Sequence, residues 1–526
     1  MPLILPFLKE GYFPTHDGEW AVVRQGTMHR AFISHHFPAR WAGNQNYGFG
    51  YPLFLFTYPL PYYIGEFFKI AGFGLVGSVK ALFVLSVFIS GVGMFLLGKE
   101  LFGYKGGLIS SILYLYVPYR MVNLYVRGSL GESLSSALFP ILFLLIIKIS
   151  KDHNPKLIGI FSILLGALLL THNISALIFS PFLIALSIVI YIRNKKKFPV
   201  RNLIAGFILG IMISAFFLFP AVLEKHNIVL SQIKLADLSK NFITFDQLIR
   251  PNWGFGAYGE KDSFSPQLGI VHLLSLVIGV ILLFVYKKNL RKNYLALFSL
   301  ISFAILIFLS FPVSLFFWKN TPFFADIDFP WRVLGPATFF LCLFIGFIST
   351  NRITSFLAIG LVVLAIFINT QYAYPKSFSN LADSYYFTND ATTTSADELM
   401  PIWVKEKPTK RVNEKVKILS GTGDISNMQF NSVQALFNSV SAKPIKVQLQ
   451  VIYFPGWQVK IDDKIIQPNF NNKKGLIEFM IPQGNHIINA NFIETKFRLL
   501  TDIISLIGLI IVCIIMFKPR ILLNEK

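Results

Sequence analysis

ISALIFSPFLIALSIVIYIRNKKKFPVR, residues 174–201, is the stretch that decides the fold. Positions 174–192 carry no charge, and Arg193, Lys195, Lys196, Lys197 and Arg201 follow at once. A helix of about 20 apolar residues crosses the hydrocarbon of a bilayer, and basic residues crowded beside it stay on the cytoplasmic side. The same alternation continues in both directions. Further apolar stretches lie at roughly 76–97, 107–120, 133–150, 157–171, 202–222, 267–286, 294–312, 332–350, 353–370 and 500–517. Basic residues occupy every second connection: Lys99/Lys105, Lys148/Lys151/Lys156, Arg193 to Arg201, Lys287 to Lys292, Arg352, and the tail Lys518/Arg520/Lys526. The expectation is a polytopic α-helical membrane protein with about eleven transmembrane helices, its reactive groups on the outward face. The short stretches 107–120 and 157–171 borrow flanking aromatics such as Tyr114, Tyr116 and Tyr119, which favour the interface.

Composition agrees. The chain is 54% hydrophobic and 14% charged, with 54 Phe and a mean hydropathy of +0.58. Its net charge of +21 would suit nucleic acid if it were evenly spread. The six cytoplasmic connections hold 18 Lys/Arg against Glu100, Asp152 and Glu525, which leaves 30 basic and 24 acidic residues elsewhere. Most of the excess is therefore a topology signal and an attraction to anionic lipid, and nucleic acid is not an expected partner. Cys342 and Cys513 lie in apolar stretches with no CxxC or histidine neighbour, so they read as small packing residues rather than metal ligands or a disulfide.

Residues 1–8, MPLILPFL, are apolar but too short to span, and they lack the basic n-region and cleavage site of a signal peptide. An even number of crossings is the more usual plan, so a first helix is expected to be missing ahead of them. Residues 1–75 form the first outward segment, with an acidic motif and aromatic segments. A helical body covers 76–370, with outward connections at 120–132, Thr171-His172-Asn173, 223–266 and 313–331. From 371 to 498 the texture turns polar, and alternation appears at Ile445, Val447, Leu449 and Val451 and again at Ile488, Ala490 and Phe492. Period-two patterning predicts half-buried strands, with turns at Asp462-Asp463 and Pro482-Gln483-Gly484. This region is expected to be a small outward-facing β-sandwich. Residues 499–526 are the last helix and a basic tail.

Several outward groups suit chemistry. His16-Asp17-Gly18-Glu19-Trp20 places two carboxylates two residues apart, a spacing that serves proton abstraction or a divalent metal; an ordinary loop with a helix N-cap at Asp17 is the plainer reading. Arg24 and Arg40 follow closely enough to counter a phosphate. Tyr119-Arg120, Tyr125, Arg127 and Glu132 sit where one helix leaves the membrane and the next enters. Arginines at that depth are costly unless paired or bound to phosphate, and an Arg127–Glu132 pair is the bland alternative. His172 occupies a tight turn, where capping is its commoner role. Asp326, Asp328, Trp331 and Arg332 precede another helix, where an Asp–Arg pair would close the loop. Tyr453-Phe454-Pro455-Gly456-Trp457 reads as β-sandwich core before it reads as a sugar platform. No nucleotide-binding motif is present, so ATP-driven transport by this chain is unsupported.

Taken in order, the motifs at 16–20, Phe37-Pro38-Ala39-Arg40-Trp41, Gly48-Phe49-Gly50-Tyr51-Pro52, Pro59-Leu60-Pro61-Tyr62-Tyr63, Pro118-Tyr119-Arg120, Tyr125-Val126-Arg127-Gly128, Thr171-His172-Asn173 and Phe329-Pro330-Trp331-Arg332 form a pattern. It resembles a bacterial membrane protein family labelled 6-pyruvoyl-tetrahydropterin synthase-related. Phe454-Pro455-Gly456-Trp457, with its following Asp-Asp-Lys turn, is similar to the terminal domain of YfhO-like membrane proteins. The soluble pterin synthase is not resembled, because its zinc-binding histidine set has no counterpart. Both families look like GT-C glycosyltransferases, which share a helical body, an acidic motif in the first outward loop and often an outward C-terminal domain. The resemblance implies a sugar donor on polyprenyl phosphate and a glycan or lipid acceptor. It also implies Asp17 as base, Glu19 as helper or metal ligand, and Arg120, Arg127 and Arg332 on the donor phosphate. The motif is D-G-E rather than D-x-D, which leaves metal dependence open.

The function expected from these readings is a glycosyltransferase on the extracytoplasmic face of a bacterial inner membrane. A non-enzymatic translocator or scaffold for lipid-linked polysaccharide would use the same arginines and dispense with Asp17. A transporter would need charges near mid-membrane, where the stretches carry almost none.

Overall fold

The computed structural model describes residues 2–152, 154–193, 199–285, 293–350, 352–387 and 391–517. Lys195 to Lys197, Lys287 to Lys292 and the tail Lys518/Arg520/Lys526 lie outside the described residues. In the first segment, α1 (Gly18–Ile33) and α2 (Leu60–Ile70) are followed by α3 (Leu75–Tyr116). The body continues with α4 (Leu130–Lys151), α5 (Pro155–Thr171), α6 (Asn173–Arg193), α7 (Val200–Leu223), α8 (Ile270–Val285), α9 (Tyr294–Ser310), α10 (Leu315–Asn320), α11 (Leu334–Gly346) and α12 (Arg352–Asn369). After the strands, α13 (Lys496–Phe517) closes the described chain.

The described residues of all eleven apolar stretches are largely helical, but fewer helices are long enough to cross alone. Among the described residues seven helices are long and apolar enough to span a membrane, or eight if one bent pair counts as a span. Helices α5 and α8 are apolar but shorter. Stretches 76–97 and 107–120 lie together in α3, which breaks at Gly103 (φ 77°, ψ −178°), a backbone conformation that suits glycine. The two arms fold back on each other: Ser111 Oγ donates to the Gly91 carbonyl at 2.7 Å, and a Cβ on Gly107 would lie 2.6 Å from the Phe95 carbonyl oxygen. Small residues permit that approach. The stretch 294–312 also departs from a single straight helix. It ends at Ser310, and the chain turns by 87° into Pro312–Asn320, because Pro312 cannot continue the ladder.

Helices α4 and α11 are the centre of the body: 83% of the most apolar part of each span is buried, against 22% for α13. Phe139 of α4 stacks on Phe179 at 4.0 Å, and Phe339 of α11 meets Phe143 edge-on at 5.6 Å. Cys342 is buried there, whereas Cys513 is exposed on the apolar surface of α13.

The described basic residues of these connections gather at one end. Lys151 Nζ lies 2.7 Å from Glu100 Oε1 beside the Gly103 break, Arg193 sits 4.2 Å over Tyr294, and Lys105 sits 5.8 Å over Phe356. The first segment and the strands pack at the opposite end. Among the described residues eight strands form two antiparallel sheets. These are β1 (Val416–Ser420), β2 (Gly423–Phe430), β3 (Gln434–Ser441), β4 (Ile445–Ile452), β5 (Trp457–Ile461), β6 (Lys464–Ile466), β7 (Leu476–Ile481) and β8 (Gly484–Phe492). Their orders are β1-β4-β7 and β2-β3-β8-β5-β6. Inward residues alternate along β4 and β8, and Val447, Leu449, Ile488 and Ala490 are wholly buried in one core. Asp462 (φ 45°) and Asp463 (φ 64°) make the turn between β5 and β6, the doubly left-handed geometry of a tight hairpin. Phe454 and Trp457 are buried, as core residues should be.

The first segment is the mortar between sheets and helices. Trp41 stacks on Phe492 of β8 at 5.3 Å, and the Ile452 N–H donates to the Phe49 carbonyl at 3.0 Å.

Candidate functional site

Two central helices begin at the strand end, and each delivers one half of a charged cluster. The chain between α3 and α4 winds into a wide π-type turn, Val122–Val126, in which the Arg127 N–H donates to the Val122 carbonyl at 2.8 Å. Such turns often mark functional positions. Here the turn brings Asn123 and Arg127 to the same side, with Arg127 Nη1 donating to Asn123 Oδ1 at 2.7 Å. Arg127 also forks onto Glu132, at the start of α4, through two bonds of 2.8 Å, and lies 4.5 Å over the Trp331 ring. From the turn just before α11, Arg332 places its Nε 3.6 Å from the same carboxylate, and that Nε makes no hydrogen bond.

Arg120 is the third guanidinium. It is buried, and it donates to Ser90 Oγ, to the Ser86 carbonyl at 3.3 Å and to Ser136 Oγ at 3.5 Å. Its flat face lies 5.0 Å from the centre of the Tyr114 ring, and its Nε has no partner. Among the described residues no carboxylate lies within 4 Å of it. Arg120, Arg332, Glu132, Tyr119, Tyr114 and Ser136 all line one small cavity. Two guanidiniums, Arg127 and Arg332, thus share the Glu132 carboxylate, and a third, Arg120, lines the same cavity without one. A buried cation without a counter-charge is expensive, and the Nε atoms of Arg120 and Arg332 are left without acceptors.

Asp17 borders this cluster through the backbone. The Asp17 N–H donates to the Arg127 carbonyl at 2.8 Å, and the His16 N–H to the Val126 carbonyl at 3.1 Å. Asp17 stands at the N-cap position of α1 without capping it, because Thr15 Oγ1 accepts from the Gly18 N–H instead, at 2.9 Å. Its half-buried carboxylate accepts no hydrogen bond among the described residues, and its charge acts on Arg127, Tyr58 and Tyr62. Asp17 does not line the cavity itself. Glu19 carries its charge elsewhere, toward Tyr12 and Tyr386, so the two acids of the D-G-E motif do not face one point. Among the described residues no three His, Cys, Asp or Glu side chains gather as a metal site.

The remaining candidates divide. His172 joins the cluster's edge: Nδ1 accepts from the Ser175 N–H at 3.1 Å, and the ring stands edge-on to Tyr58 at 5.3 Å. The Tyr119 hydroxyl donates to the Trp331 carbonyl at 3.4 Å. His16 Nε2 lies 2.8 Å from the Phe255 carbonyl. Tyr125 is turned away, its hydroxyl donating to the Leu3 carbonyl within rings of Phe7 and Phe13. Asp326 and Asp328 meet Lys225 and Lys234 rather than an arginine, at 2.5 and 3.9 Å; the Asp–Arg loop closure expected there gives way because Arg332 turns inward to Glu132. Arg24 donates to Thr393 Oγ1 at 3.1 Å.

Arg40 is fully engaged. Only 1% exposed, it bridges Glu494 at 3.0 Å and Asp502 at 2.6 Å, tying the first segment to α13. Arg40→Met is expected to cost about 3–5 kcal/mol, the penalty for stranding a buried partner. Thermal unfolding should register that loss, with no change in the arginine cavity's ligand affinity. His36 lies nearby, edge-on to Phe492 at 5.9 Å. Burial, and then the charges of Arg40 and Arg498, push it down to about 3. The unfolded chain takes up that proton near pH 6.5, so stability should fall as pH drops from about 6.5 toward 3. His36→Phe should flatten that arm of a melting-temperature profile.

Tyr58, Asn123, Ser90 and Ser136 carried no motif of their own. The one available signal is Gly131, where a Cβ would lie 2.7 Å from Tyr58 Cζ and 2.9 Å from His172 Cδ2; the glycine admits both rings against the start of α4. No curated protein matches the chain. The family model described as 6-pyruvoyl-tetrahydropterin synthase related domain, a membrane protein, matches residues 55–375. That match takes in Arg120, Arg127, Glu132, His172 and Arg332 and leaves out Asp17 and the strands. With well over half its length inside that model and its charged cluster in the matched helices, the chain belongs to the 6-pyruvoyl-tetrahydropterin synthase related family of membrane proteins.

Proposed function

We propose that the protein is a glycosyltransferase of the extracytoplasmic membrane face, using a sugar carried on polyprenyl phosphate. What carries the reading is the pairing of Arg127 and Arg332 with the one carboxylate of Glu132, beside Arg120, which lines the same cavity and pairs with no carboxylate among the described residues. That surplus of positive charge suits a phosphate, and guanidinium forks match its oxygens. In this reading the chain crosses the inner membrane eleven times, with 1–75 and 371–498 outward and the basic end in the cytoplasm. The donor lies laterally in the bilayer with its phosphate at the arginines. Asp17 takes the proton of an acceptor hydroxyl as that oxygen attacks the anomeric carbon. The bond from that carbon to the phosphate oxygen breaks, polyprenyl phosphate leaves, and the configuration inverts. The arginines stabilise the charge that develops on the leaving phosphate. The acceptor, a glycan or lipid, is held between the first segment and the strands.

The test is release of polyprenyl phosphate from a labelled polyprenyl-phosphate sugar in proteoliposomes supplied with envelope glycans. Arg332→Gln should slow that release by about 10–100-fold, the value of hydrogen bonds to a charged group. Equal release by wild type and Arg332→Gln would contradict the assignment.

A further inference from the structure

We propose that the first segment is seated in the outer leaflet of the membrane, with one face of α2 against lipid acyl chains. Helix α2 has 11 residues, too few to span, and it is two-faced. Tyr62, Gly65 and Glu66 are buried. Glu66 lies 2.7 Å from His29 of α1, and Gln25 Nε2 donates to the Tyr62 carbonyl at 3.3 Å, so the two helices run side by side in one direction. On the other face Tyr63, Phe67 and Ile70 follow at i, i+4 and i+7, a single helical stripe. Phe67 and Ile70 are each 69% exposed. Phe37, 74% exposed, packs on Tyr63 at 5.6 Å and lengthens the stripe. Phe32 and Ile33 at the end of α1, and Phe73 just past α2, are exposed as well. Apolar surface of this extent marks an interaction face.

Two spanning helices give the depth of this face and so its partner. On one side a Cβ on Gly65 would lie 3.2 Å from Leu82 Cδ1 of α3. Leu82 is seven residues inside the start of that helix, about 10 Å at 1.5 Å per residue. On the other side the Ala39 N–H donates to the Tyr63 hydroxyl at 3.0 Å, and Arg40, next in the chain, meets Asp502 at 2.6 Å. Asp502 is six residues inside α13, about 9 Å by the same rise. That helix has 22 residues, only just enough to cross, so Asp502 stands at the level of the outer leaflet. Both marks put the stripe where headgroups meet acyl chains, and it continues the exposed apolar surface of α13 at Leu499, Leu500 and Ile503. An amphipathic helix settles at that boundary with its apolar face about 5–10 Å deep. Arg30 and Lys69 stand at the rim, where basic side chains reach headgroups. A protein arriving from the aqueous side cannot reach a face at this depth, which leaves lipid as its occupant. Asp17 stands at the start of α1, so the bilayer also sets the level at which that carboxylate works.

The experiment uses the full chain in vesicles of phosphatidylethanolamine and phosphatidylglycerol, doped with a phosphatidylcholine whose acyl chain carries a diazirine. Light expels dinitrogen, and the carbene left behind inserts into the nearest C–H bond. Mass spectrometry should find residues 60–73 labelled as densely as α13, and β2, whose Met428 is exposed, at background. Label on 60–73 no denser than on β2 would overturn the proposal. Spin labels at Phe67→Cys and, separately, Ile70→Cys, each in a Cys513→Ser background, give a second reading. Both should be relaxed more by dissolved oxygen than by a nickel chelate, as a label at Leu506→Cys on α13 should be, and Met428→Cys should show the opposite order. A label reached more readily by nickel, or one shielded from both reagents by a second copy of the chain, would overturn the proposal. Photolabelling needs no substitution, so it decides alone if the cysteine variants fail to fold. Neither readout depends on sugar transfer, so failure of the transferase reading would not be mistaken for failure of this one.

Discussion

Glu132→Gln is expected to be the most damaging single change in the helical body, lowering stability by about 3–5 kcal/mol, the usual consequence of breaking a buried ion pair. Glu132 is 5% exposed, and among the described residues it is the only carboxylate within 4 Å of either Arg127 or Arg332. Glutamine keeps the size and loses the charge, so two guanidiniums are stranded between α4 and α11. Thermal unfolding in detergent should show a clear drop in midpoint. Polyprenyl phosphate should restore more of that loss in the variant than it adds to wild type, because a ligand that binds only the folded state stabilises it by mass action. An unchanged midpoint would mean that Glu132 is not the counter-charge of this cluster.

Asp17→Asn is expected to do the reverse, leaving the fold intact while sugar transfer falls by about 10²–10⁴-fold, the range for a lost general base. Asparagine fits because the Asp17 carboxylate neither caps α1 nor accepts a hydrogen bond among the described residues, and the Asp17 backbone bond to the Arg127 carbonyl does not involve the side chain. A folded Asp17→Asn protein that transfers at the wild-type rate would instead favour a scaffold or translocator.

Local features were legible in the chain itself. The Asp462-Asp463 turn, the alternation along β4 and β8, and the Arg127–Glu132 pair depend on neighbours within a few positions, where period and turn chemistry speak directly. The helices were legible as apolar stretches, and their lengths less so. Nothing in hydropathy distinguishes the close glycine contacts of the α3 hairpin from a straight continuation, or shows that Pro312 turns the chain by 87°. Long-range pairing was the least visible. Arg40 lies 454 residues from Glu494 and 462 from Asp502, and Arg498 lies 274 from its buried partner Glu224. No periodicity encodes such contacts, so Arg40, a phosphate candidate by position, instead tethers the last helix. The sequence could group Arg120 with Arg127, but only the packing of α3 against α4 and α11 leaves Arg120 without a carboxylate.

Direct binding of polyprenyl phosphate tests the central claim most closely, read by native mass spectrometry on protein released from nanodiscs. Wild type should retain the lipid in preference to the unphosphorylated polyprenol, Arg120→Met should weaken it by about 10–100-fold, and Asp17→Asn should retain it fully. Equal retention of phosphate and alcohol, or undiminished binding by folded Arg120→Met, would contradict a phosphate site in the arginine cavity.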